Sequence, residues 1–129
     1  DRYYRSRQPI AGHRKLRHCL PPSGGPYPPE PSADPVEVDF ASEEAGGAAG
    51  TWVALGFQPE RPLRYRYSIL SSDPDCEKRS DPSRVLSLVA EGDLDGDGVL
   101  SRFTLTAGPS QDGARLEARG RLQVERRLE

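Results

Sequence analysis

The sequence has no methionine, one tryptophan and only two lysines, Lys15 and Lys78. It also lacks any run near the ~18 apolar residues of a membrane-crossing helix, which excludes such a span within these 129 residues. The formal net charge of −2 is small, so a polyelectrolyte such as nucleic acid is not the default partner. Catalytic signatures are missing too: there is no Gly-x-Ser-x-Gly elbow, no HExxH pair and no phosphate-cradling glycine loop. Of the many carboxylates, only Glu91 sits in an apolar stretch of the kind that raises a pKa for acid–base work. The expectation is a protein that is not an enzyme.

Cysteine is scarce as well, but the count is even. Cys19 and Cys76 in a small, turn-rich chain read as a disulfide in an exported protein. Two reduced, buried thiols in a cytosolic protein are the alternative. His13 and His18 beside Cys19 form at most a fragment of a zinc site, with Cys76 the one remaining thiolate.

What the chain has in quantity is glycine and proline, thirteen of each, which points to β structure with many turns and not to a helical bundle. The length suits one domain, residues 1–129, in three parts. Residues 1–20 are a basic arm, broken by Pro9 and Gly12 and read as the remnant of a helix begun upstream. Residues 21–35 are a proline-rich, extended connector. Residues 36–129 are a β-rich body. Charge is segregated: residues 2–17 carry Arg2, Arg5, Arg7, Arg14, Lys15 and Arg17 with no acid. Residues 30–44 carry Glu30, Asp34, Glu37, Asp39, Glu43 and Glu44 with no base. That pattern suits head-to-tail contacts between copies, and two independently solvated faces equally well.

Apolar residues alternate with charged ones in 36–40, 63–69, 99–107 and 114–124, and less cleanly in 84–91. Thr51 to Phe57 is a compact apolar knot around Trp52. Strands with one apolar face belong to an antiparallel sheet covered on one side. The spacing joins 84–91, 99–107 and 114–124 as a meander. No long amphipathic helix is present to cover the apolar face. The cover must come from upstream sequence, a partner, or the irregular first sixty residues.

One motif carries chemistry. Asp93, Asp95 and Asp97, followed by Gly98, match the opening of an EF-hand-type calcium loop, with the Val99 carbonyl and Ser101 at further ligand positions. Alternate carboxylates at this spacing can converge on one hard cation. The twelfth position, where a bidentate acid is expected, is Thr104, and strand-like sequence follows. Calcium would need another oxygen, from Glu91, Asp112 or the Asp73/Asp75/Asp81 loop. A hairpin turn with aspartates capping backbone amides is the competing reading.

Taken in order, Val36–Phe40, Trp52–Tyr67 and Ala90–Ser101 resemble pilin-type proteins of a δ-proteobacterial kind. The resemblance implies an α+β head in which an antiparallel meander packs on part of a long N-terminal helix. It implies a structural subunit of a type IV pilus or type II secretion-like filament (pilin or pseudopilin), with other pilin subunits as partners. Membrane contact would run only through a helix upstream of Asp1. Localisation would be exported: anchored in the inner membrane, then on the cell surface. Structural calcium in the Asp93–Ser101 loop fits some pseudopilins. The family's disulfides often staple a C-terminal loop, unlike one joining Cys19 to Cys76. The alternative is a freestanding extracellular, calcium-stabilised β module for adhesion or carbohydrate binding, presenting Trp52, Tyr65 and Tyr67.

Overall fold

The computed structural model describes residues 1–8, 17–73, 76 and 83–126. Its centre is an antiparallel sheet of six strands with a few short helical segments, an α+β arrangement. Strand β1 is Gly24–Tyr27, β2 Arg66–Ser71, β3 Leu86–Gly92, β4 Ser101–Pro109, β5 Leu116–Ala118 and β6 Gln123–Glu125. The order is β1-β2-β3-β4-β5, with β6 also on β4.

The alternation in 63–69, 84–91 and 99–107 becomes β2, β3 and β4. Tyr67 pairs with Ala90, Ala90 with Phe103 and Leu88 with Leu105, so one face is apolar. Arg66 and Glu91 pair across the other face, as do Val89 and Thr104. Val99, expected inside β4, lies instead in the preceding turn and is 37% exposed.

The long alternating segment 114–124 is two strands. Ala118 pairs with Ala107 and Gln123 with Thr104, so the four residues 119–122 face only 105 and 106. Gly120, at φ +80°, permits the bulge. The surplus is even, so Leu116, Ala118 and Val124 keep to the apolar face.

Three expectations are corrected. Residues 36–40 form no strand: Val36 makes a single bridge to Leu63, and Phe40 leaves the pattern to become fully buried. Residues 51–57 are a short helix, α2 (Thr51–Leu55). Gly56, at φ +66°, ends it, with Gly56 N–H on the Val53 carbonyl and Phe57 N–H on that of Trp52. This is a Schellman cap, and Phe57 packs on Trp52 as the motif favours. Within 21–35, Gly24–Tyr27 is an edge strand, where prolines are tolerated, and Tyr27 is buried.

Irregular sequence covers part of the apolar face with one continuous buried cluster. At the β1–β2 end Phe40 meets the rings of Tyr27, Trp52, Phe57 and Tyr67 at centroid distances of 4.9–6.3 Å. Tyr4, from helix α1 (Arg2–Arg5), Leu20 and Leu86 belong to the same buried cluster, and α1 lies against α2.

Cys19 and Cys76 form a disulfide across 57 residues. Beside it is a buried ion pair: Arg84 Nε lies 3.1 Å from Asp73 Oδ2, with both side chains under 5% exposed. The approach is off-axis, a charge contact and not an aligned hydrogen bond. Arg84 also donates to the His18 carbonyl. The segment behind α1 is thus held covalently and electrostatically to the sheet end.

Candidate functional site

Beside this cluster, the apolar face stays open as a groove of about 440 Å³. Its floor is Leu88, Ala90, Phe103 and Leu105, and its walls include Trp52, Phe57, Tyr67 and Leu122. Leu88 is 37% and Leu122 53% exposed, high values for leucines lining a concave apolar surface. Asp1, Tyr3 and Tyr4 close one end, so α1 opens directly onto the groove. Asp1 is fixed there because its carboxylate accepts the Leu116 amide, and Tyr4 donates its hydroxyl to the Gly113 carbonyl. Burial pushes the hydroxyls of Tyr3, Tyr4 and Tyr67 above the ordinary tyrosine pKa, with Arg84 opposing the rise at Tyr4. These rings therefore present neutral, apolar surface at physiological pH. The alternation of β2–β4 made the apolar face visible in the sequence, but nothing local showed that α1 and α2 would form its rim.

The acidic turn joins β3 to β4. Carboxylate oxygens of Asp93, Asp95 and Asp97 come within 4.8 Å of one another, close enough to share a cation. The same oxygens already cap backbone amides. Asp93 accepts from Gly96, Asp97 and Gly98, Asp95 from Asp97, and Asp97 from Val99. The turn is therefore organised by its own amides. Ser101 is fully buried, and its hydroxyl donates to the Gly92 carbonyl. Of the proposed extra ligands, Glu91 is paired with Arg66 at 3.1 Å and Asp73 with Arg84. Asp112 belongs to the β4–β5 turn, where Ser110 and the Ala114 amide donate to it. Those bonds, Ser110's first, hold its carboxyl below the ordinary aspartate pKa. Asp75, Asp81 and His13 lie outside the described residues. His18 stacks on Tyr4, and Cys19 is in the disulfide, so no zinc fragment forms from that pair.

Trp52 is 3% exposed and enclosed by Phe40 and Phe57, so it forms no surface platform for a sugar. No family model, curated protein or solved structure matches this chain.

Proposed function

We propose that this chain is the globular head of a type IV pilin- or pseudopilin-like subunit, exported and built into a filament with other such subunits. The open apolar groove carries the reading. One layer of sheet, covered over part of its apolar face and bare beside that cover, is a shape that seats an apolar helix. Helix α1 begins at that groove, with Asp1 in its lining, so a helix upstream of Asp1 would start from the groove's edge. The acidic turn is assigned a supporting role, binding a structural cation such as calcium that stiffens the β3–β4 connection.

Full burial of a leucine contributes about 1.5–3 kcal/mol. With 37% of Leu88 and 53% of Leu122 still exposed, a seated helix would gain roughly 1.5–2.5 kcal/mol from these two side chains. The test adds a helix of about twenty residues with one apolar stripe ahead of Asp1 and follows urea unfolding. The helix raises the midpoint. The double substitution Leu88→Asp and Leu122→Asp, made with and without the helix, abolishes the difference between the two midpoints. Identical midpoints with and without the helix would sink the reading.

A further inference from the structure

The filament reading leaves open how neighbouring heads touch, and the two flanks of the sheet address that. On the β1–β2 side, the segment 30–44 is tied to the sheet by the Ser32 amide on the Arg64 carbonyl and by the Val36–Leu63 bridge. Its six acids, from Glu30 to Glu44, are all exposed. None of them enters an ion pair among the described residues. Arg61 and Arg64 stand beside the segment, leaving a clear excess of negative charge. Among the acids Val36 is 45% exposed, a large apolar side chain without cover.

The opposite flank is the β5–β6 edge, three strand spacings from β2, or roughly 14 Å. Leu122 is 53% exposed there, between the exposed Arg121 and the pair Val124 and Arg126 along the chain. Neither Arg121 nor Arg126 enters an ion pair among the described residues. Glu117 is already held by Arg115 at 3.3 Å, so it offsets little of the positive charge, while Glu125 remains exposed. The two flanks therefore carry charge of opposite predominant sign, and the acidic one adds an uncovered apolar side chain, Val36.

We propose that the acidic flank around Val36 docks on the basic β5–β6 edge, at Arg121 and Arg126, of a second copy of this chain. Such a contact is heterologous, because the two surfaces differ. It leaves a free flank of each kind at the ends and propagates as an open chain. Opposite charges set partner and register, and Val36 supplies the apolar contact. The contact rests on the filament reading, but its failure is separable. Helix docking with monomeric heads would sink only this contact, and head association without helix docking would sink only the groove reading.

The test is sedimentation of the 129-residue chain at on the order of 1 mM in low salt, where screening is weakest. The chain self-associates, and 0.5 M sodium chloride weakens association at least tenfold. Asp34→Lys with Glu37→Lys on one flank, and Arg121→Glu with Arg126→Glu on the other, each weaken it at least tenfold. An equimolar mixture of the two variants restores association to within about threefold, since each now complements the other. A monomeric parent chain overturns the proposal. So does association that survives the substitutions, or a variant mixture that stays dissociated. If a variant fails to fold, the salt dependence of the parent chain decides.

Discussion

Replacing Cys19 and Cys76 by serine tests the clasp behind α1. The bridge closes a loop across a separation of 57 residues. Chain entropy gives such a link roughly 4 kcal/mol, by restricting the unfolded ensemble. For a chain of this length the loss corresponds to a fall in melting temperature of about 12–16 °C. The bridge does not act alone. Arg84, 3% exposed, pairs with Asp73 and donates to the carbonyl of His18, the residue before Cys19. Arg84→Met leaves the Asp73 carboxylate buried without its guanidinium, a loss of about 3–5 kcal/mol. Because both restraints hold residues 18 and 19 to one place, their losses should not add. Once the bridge has gone and the segment has loosened, removing Arg84 costs less than it does in the parent. Urea unfolding of the parent, the double serine variant, Arg84→Met and the combination closes the cycle. A serine variant within 1 kcal/mol of the parent would refute the entropic argument, and strict additivity would refute the shared clasp.

Two further outcomes concern the turns. With a millimolar dissociation constant, typical of extracellular calcium modules, 10 mM calcium would stabilise the chain by about 1.4 kcal/mol. Asp95→Ala should therefore melt lower than the parent only when calcium is added, and matching melting curves at every calcium level leave the loop as a turn alone. At the β4–β5 turn the folded state holds the Asp112 carboxyl below its ordinary value of 3.8, so its contribution is present above that pH and is lost as pH falls through the depressed value. Ser110→Ala removes the largest cause, and the Asp112 carboxyl signal in an NMR pH titration should then move up. An unmoved midpoint would show that Ser110 does not hold it.

The sheet was legible where side-chain alternation coincides with pairing on both edges, as in β4, flanked by β3 on one side and by β5 and β6 on the other. The segment 36–40 has the same alternation, but only Val36 finds a strand partner, and Phe40 is drawn into the ring cluster with Trp52. Alternation shows that a segment could pair and says nothing of whether an edge is free to receive it. Helix α2 spans five residues, too short for a 3.6-residue period to emerge, and its one local signal was Gly56. In Gly24–Tyr27 the prolines hid a strand that tolerates them because it lies at the sheet edge. For the candidate site, Asp93, Asp95 and Asp97 were readable because local spacing alone brings their oxygens together. The groove required Tyr4 and Trp52 to arrive from distant segments, and long-range closure leaves no local pattern.

The bulge at 119–122 also sets what length variation the C-terminal edge can absorb. Four residues lie opposite two there, so Val124 still pairs with Phe103 on the greasy side. Losing or gaining a single residue would rotate everything downstream by half a pleat, bringing Gln123 or Glu125 under the groove and turning Val124 to water. Natural variants of this hairpin arm should thus differ by even numbers of residues, and an odd indel would convert an oily ledge into a charged one without altering any residue of the floor.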